Sequence, residues 1–172
     1  MYEDLKIINY PDPRLKKVSK PIDSIDESTK ALAARMLELM REHRGVGLAA
    51  PQLGEPLRAC VIEVEDTLYE LVNPQIVRAH GDDRDLEGCL SIPGYVAYVT
   101  RKEKVWVVAQ NRVGKKIKVA GSGLLGRALQ HELDHLDGKL YIDYLDSMDE
   151  LISVSQLDDE DEETQESLRT LA

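Results

Sequence analysis

The sequence has only two cysteines, Cys60 and Cys89, in 172 residues. Two thiols exclude the disulfide framework that staples small secreted domains. No run of about 18 apolar residues occurs, so no membrane-spanning helix is expected. The opening Met1-Tyr2-Glu3-Asp4-Leu5-Lys6 mixes charges and lacks an apolar stretch. Neither is it the Arg-rich, acid-poor start of a transit peptide, so no targeting segment is expected. There is no internal repeat and no sign of a second domain. These absences point to a single domain, long enough to bury a proper core, in a reducing, cytoplasmic setting. A free thiolate is then available as a metal ligand.

Charge is present but unevenly placed. The net charge is −10. From Asp146 onward there are ten acids and one base, Arg169, so the preceding residues are close to neutral. The acidity belongs to the end of the chain and says little about what the body binds. The summed charge gives no expectation of direct nucleic-acid binding. The organisation read from this is a body over 1–150 and an acidic, flexible tail over 151–172. A short helix is predicted near 164–171.

Along the body, Pro11, Pro13 and Pro21 disfavour helix over 5–21. Ser24 with Glu27 forms a capping box. Leu32, Met36, Leu39 and Met40 follow at helical spacing, which predicts a helix over about 25–43. Strand patterns occupy about 57–64, 69–77, 96–99, 105–110 and 115–119, with Asn73-Pro74 expected to interrupt the second. Residues 81–85 read as a polar loop. Cys60 lies within an apolar strand and reads as core. Residues 140–145 read as an apolar segment packing back on the body. Strands bracketed by one helix at each end of the core predict an α+β fold, with antiparallel or mixed sheets around the later helix.

That later helix carries the chemistry. Gln130-His131-Glu132-Leu133-Asp134-His135-Leu136-Asp137-Gly138 contains H-E-x-x-H. Positions i and i+4 share one helix face, so both imidazoles can reach one metal ion. Glu132 then stands beside the ion, placed to take a proton from water. Leu124, Leu125, Ala128, Leu129 and Leu136 recur at helical spacing, with Ser122 as cap and Gly138 as stop. Catalytic zinc-type sites have three protein ligands, so a third must come from elsewhere. The motif alone serves a zinc endopeptidase, another metal hydrolase, or an inactive metal-stabilised peptide-binding module.

Two further stretches join it. They are Gly45-Val46-Gly47-Leu48-Ala49-Ala50-Pro51-Gln52 and Glu87-Gly88-Cys89-Leu90-Ser91. Taken together, the three stretches resemble the peptide deformylases, from about residue 5 to about 145. The resemblance implies one deformylase-like catalytic domain over 1–150. Its activity would be metal-dependent removal of the formyl group from N-terminal formyl-methionine of new polypeptides, with release of formate. It makes Cys89 the third metal ligand beside His131 and His135. A thiolate with two imidazoles suits Fe(II), the ion the family leads one to expect, or Zn(II), Ni(II) or Co(II). Glu132 becomes the proton acceptor, and the Gln52 amide and Leu90 N–H the donors to the developing oxyanion.

The same resemblance lays the peptide along Gly45-Val46-Gly47 and a strand after Gly94, as an added strand. Leu124, Ala128, Val46 and the His131 ring would form the methionine pocket. Glu87 and Arg101 would support the site by pairing, and Asp134 would orient a histidine. Val96 stands where many bacterial members carry a polar or charged residue, which leaves the peptide grip there open. The acidic tail differs from the basic C-terminal helix that docks some members on the ribosome, so any transient ribosome contact is not expected by that route.

Overall fold

Residues 1–157 are described in a computed structural model. Helix α1 spans Glu27–Glu42 and buries Leu32, Met36, Leu39 and Met40 along one face, as three- and four-residue spacing requires. The cap is Asp26, not Ser24. Its carboxylate accepts from Thr29 N–H at 3.1 Å, and Thr29 Oγ1 accepts from Asp26 N–H at 3.4 Å. Serine and aspartate cap about equally well, so tertiary contacts decide between them. The Asn73 side chain holds both backbone groups of Ile22 at 2.8 Å, which keeps the chain extended up to that point.

Five strands form one antiparallel sheet: β1 (Gly47–Ala49), β2 (Ala59–Val64), β3 (Thr67–His80), β6 (Lys104–Gln110) and β7 (Lys116–Ser122), in the order β1-β2-β3-β6-β7. A smaller antiparallel sheet holds β4 (Asp83–Cys89), β5 (Ile92–Arg101) and β8 (Ile152–Ser153), in the order β4-β5-β8. Asn73-Pro74 does not end the second strand. The pairing of β3 with β6 slips between Val72 and Gln75, and Asn73 takes φ 50°. Proline lacks an N–H for the ladder, and a bulge lets the strand continue past it. The predicted polar loop is also shorter than expected, since β4 already begins at Asp83 and pairs with Arg101.

Helix α2 (Gly123–Leu136) lies between the sheets and is buried almost all round. Leu129, Leu133 and Leu136 pack with Ile62, Leu71 and Val107 of the larger sheet. Burying each such leucine contributes about 2 kcal/mol. Arg127, His131 and His135 reach the smaller sheet instead. Ser122 precedes the helix, but its side chain makes no capping bond. Gly138 ends the helix region at φ 72°, where a Cβ would meet the Lys16 carbonyl, so glycine is required twice over. Beyond it a 3₁₀ turn, Tyr141–Tyr144, buries Tyr141 and Ile142.

Ile152 and Ser153 pair with Val96 and Tyr95, and one helical turn, α3 (Val154–Leu157), follows. The sheet thus takes in two residues beyond 150. The acidic run from 158 and the helix predicted near 164–171 lie outside the described residues. No described helix is long and apolar enough to cross a membrane.

Candidate metal centre

Cys89 closes strand β4, while His131 and His135 stand one turn apart on α2. The fold brings all three together. Cys89 Sγ lies 3.4 Å from His135 Nε2, and the two Nε2 atoms lie 3.1 Å apart. All three donors fall within 4.8 Å of one another, and all three residues are buried. Donors about 2.0–2.3 Å from one tetrahedral ion stand about 3.3–3.8 Å apart, so the set fits a divalent metal. A zinc endopeptidase built on H-E-x-x-H alone would draw its third ligand from beyond α2. The donor that completes this cluster lies upstream.

The His131 ring is held from behind. Its Nδ1 meets Glu87 Oε2 at 2.7 Å, which leaves Nε2 facing the centre. A carboxylate in this place sets the tautomer and basicity of a metal-binding imidazole. Glu87 is in turn gripped by Arg101, whose Nε and second guanidinium nitrogen reach its two oxygens at 3.0 and 2.6 Å. Arg127 adds a bond of 3.1 Å to Glu87 and one of 2.8 Å to the Val99 carbonyl. Burial opposes ionisation of Glu87, yet the bonds and charges of His131 and Arg101 outweigh it and hold the carboxyl well below the usual range. Asp134 does not orient a histidine. Its carboxylate accepts from Arg101 at 2.5 Å and from Tyr144 O–H at 2.8 Å. It lies one helical turn from Gln130 and leans toward the guanidinium, because Glu87 already fills the place behind His131.

The rings differ in environment. Burial lowers the pKa of both, but contacts with Cys89 and Glu87 carry His131 above its ordinary value. His135 falls below, driven by burial and then by the charge of His131. Its Nδ1 is a buried nitrogen with no partner among the described residues.

Glu132 and Gln52 border the same cavity, of about 40 Å³. Glu132 is 3 % exposed, and its Oε2 has no hydrogen-bond partner among the described residues. Burial pushes its carboxyl up to about 7. A Cβ on Gly47 would stand 2.6 Å from Glu132 Oε1, so only glycine lets β1 pass this close. Gln52 is locked. Its Oε1 accepts from Ala49 N–H at 2.9 Å, and its Nε2 donates to Ser91 Oγ at 3.1 Å and lies 3.6 Å from Cys89 Sγ.

Leu90, Val46, Gly47, Leu124 and Ala128 line this cavity. Gly45 does not; its backbone is pressed against the Leu90 side chain. In the strand after Gly94, Val96 is held by β4 on one edge and β8 on the other, and Tyr95 is paired with β8. The open edges nearby are those of β1 and β4, which end their sheets.

Sequence reasoning missed Arg127, Ser91 and Tyr141. Tyr141 stacks near His131 with ring centroids 6.3 Å apart. Arg127 had a signal: it sits four residues before His131, on the same helix face. An arginine there needs a buried acid, and Glu87 is that acid.

The polypeptide deformylase family matches residues 4–151 of the chain. A peptide deformylase of Acetivibrio thermocellus is 54 % identical over 132 residues, covering 77 % of this chain and 78 % of that protein. One from Carboxydothermus hydrogenoformans is 45 % identical over 138 residues, covering 80 % and 91 %. The crystal structure of a peptide deformylase from Legionella pneumophila superimposes with TM-score 0.82 at 41 % identity, covering 96 % of each chain. That of a peptide deformylase from Synechococcus elongatus in complex with actinonin gives TM-score 0.82 at 35 % identity, covering 91 % and 85 %. On these matches and on its Cys-His-His cluster, the chain belongs to the polypeptide deformylase family, metal-dependent enzymes that remove the N-formyl group from nascent peptides.

Proposed function

We propose that this chain deformylates N-terminal formyl-methionine in the cytoplasm, with one Fe(II) held by Cys89, His131 and His135. The catalytic domain is 1–150 together with the β8 residues Ile152 and Ser153, and the acidic run from 158 is an appendage to it. When bound, the ion supplies a Lewis acid that makes water acidic enough to be deprotonated near neutral pH. Glu132 takes that proton and returns it to the departing amine. The Gln52 Nε2–H and the Leu90 N–H donate to the oxygen of the tetrahedral carbon as charge builds there. Gln52 is supported in this role by its lock on Ala49 N–H and Ser91, since a pre-aimed donor needs no reorganisation during reaction.

Val46, Leu124, Ala128 and the His131 ring form the methionine wall. The substrate backbone pairs with the free edge of β1, at the Gly45-Val46-Gly47 stretch. Arg101 and Arg127 act through Glu87 on His131, and Asp134 holds the Arg101 guanidinium.

The observation that carries this reading is Glu132: a buried carboxyl with an oxygen unpartnered among the described residues, bordering the same cavity as Cys89 and His131. Such a group costs stability, and general base catalysis accounts for keeping it. The test is purification without oxygen, metal analysis, and formate release from a formyl-methionyl tripeptide. About one iron per chain and rapid formate release are expected. Cleavage of internal peptide bonds without formate, or full turnover in chelated protein, overturns it.

A further inference from the structure

The larger sheet is covered unequally. α2 fills one face, and α1 covers the other only at the β1–β2 end. Most of the rest of that second face, on β3, β6 and β7, stays open, although Ile25 of the segment before α1 reaches the β6–β7 turn at Gly114. The pairing sets its side chains in rows. Arg78 lies opposite Trp106 and Trp106 opposite Ala120; Lys104 lies opposite His80 and Ser122; Val108 lies opposite Lys118, and Gln110 opposite Lys116.

No acid occurs in β6, in β7 or in residues 75–80 of β3. Arg78, Lys104, Lys116 and Lys118 are all exposed. Among the described residues none of them has a carboxylate within ion-pair distance. Arg78 and Lys104 instead settle on the Trp106 ring, 4.6 and 5.1 Å from its centroid. Two of the acids that border the face have partners: Glu70 pairs with Arg112, and Asp82 with Lys102. Glu103 stands in the turn before β6, at one end of the face.

This is a cationic platform on a chain of net charge −10. Summing charge over the chain averages it away. At about 0.1 M salt the screening length is about 10 Å, so the face presents its own sign to a partner. We propose that it binds single-stranded RNA, with the four cations on successive phosphates and the Trp106 indole stacked on a base. The chemistry favours this over a bare anion. Cations that rest on an aromatic ring, with no acid in reach among the described residues, gain a stronger partner in phosphate. The indole they release is the flat apolar surface that an unpaired base takes. An open sheet face with one central aromatic and flanking cations accommodates a strand of any sequence, so sequence preference is not expected.

Trp106 is the only tryptophan in the chain, so its fluorescence reports on this face alone. The experiment titrates the full metal-loaded chain with a fluorescein-labelled oligouridine of about twelve nucleotides. At about 50 mM salt the expectation is micromolar affinity with quenching of Trp106, lost steeply by about 200 mM. In the double variant Lys104→Ser/Lys118→Ser, affinity falls by about tenfold and the salt slope by about 1.4. Formate release from a short formyl peptide and the midpoint of thermal unfolding stay unchanged in that variant. The proposal is overturned by RNA binding that leaves Trp106 fluorescence unaltered, or by no binding up to about 100 μM at low salt. Equal affinity for polyglutamate, or quenching by phosphatidylserine vesicles but not by RNA, overturns it as well, by assigning the face to another class of partner.

Discussion

Two buried carboxylates, Glu87 and Glu132, lie in one cavity wall and are treated in opposite ways. Glu87 meets two guanidinium groups and an imidazole and is held ionised far below the usual carboxylate range. Glu132 meets the bare backbone of Gly47 and has one oxygen with no partner among the described residues, and burial raises its carboxyl to about 7. The difference lies in their neighbours, since both are almost fully buried. A carboxylate saturated with donors can only hold something in place. One left without donors can exchange a proton near neutral pH.

The largest expected effect comes from removing the unsatisfied member. Glu132→Gln should lower kcat/KM for a formyl-methionyl tripeptide by about 10²–10⁴-fold, the usual range for a general base. Metal content per chain should stay at the wild-type value by elemental analysis. Wild-type turnover in this variant would erase the distinction between the two acids. Glu87→Gln should act differently. It leaves Arg101 and Arg127 facing a neutral partner, which should cost about 3–5 kcal/mol in denaturant unfolding. It should also weaken metal affinity by about 10–100-fold, measured by competition with a chelator.

A third comparison uses pH on metal-free protein. Folding raises the Glu132 pKa from 4.5 to about 7, so the folded form binds the proton more tightly. Its contribution to stability is therefore full below pH 4.5 and is lost as pH rises through about 7. The difference in unfolding free energy between wild type and Glu132→Gln should change by about 3 kcal/mol across that window. Glu87 titrates in both proteins and cancels. A flat difference would mean that Glu132 is solvated after all. The smallest effect belongs to Gly47→Ala. The added Cβ pushes against Glu132 Oε1, and kcat/KM should fall by about tenfold through misplacement of the carboxylate, while metal binding is unchanged.

Much of this was legible in the sequence because it rests on local periodicity. The H-E-x-x-H spacing alone puts two imidazoles on one helix face, and Leu32, Met36, Leu39 and Met40 mark the buried side of α1. Other features depended on contacts between distant segments. Asp26 replaces Ser24 as cap where Asn73 clamps Ile22, and Pro74 is tolerated inside β3 because the ladder slips around it. Asp134 turns to Arg101 rather than to a histidine, and β8 covers the edge of β5 where a peptide seemed able to pair. The open cationic face is likewise invisible to a sum over residues. It exists because α1 stops short of β3, β6 and β7.

By itself the sequence determined which groups are available: one thiol, two imidazoles, an adjacent glutamate and the alternation that builds two sheets. These follow from bonding geometry, where helix and strand periods dictate which side chains share a face. Only the tertiary structure decided which acid is ionised and which is left to move a proton. That outcome depends on how many donors and how much water surround each carboxylate, and both are set by other segments of the chain: Arg101, Arg127 and His131 lie 14, 40 and 44 residues from Glu87, and β1 brings Gly47 against Glu132.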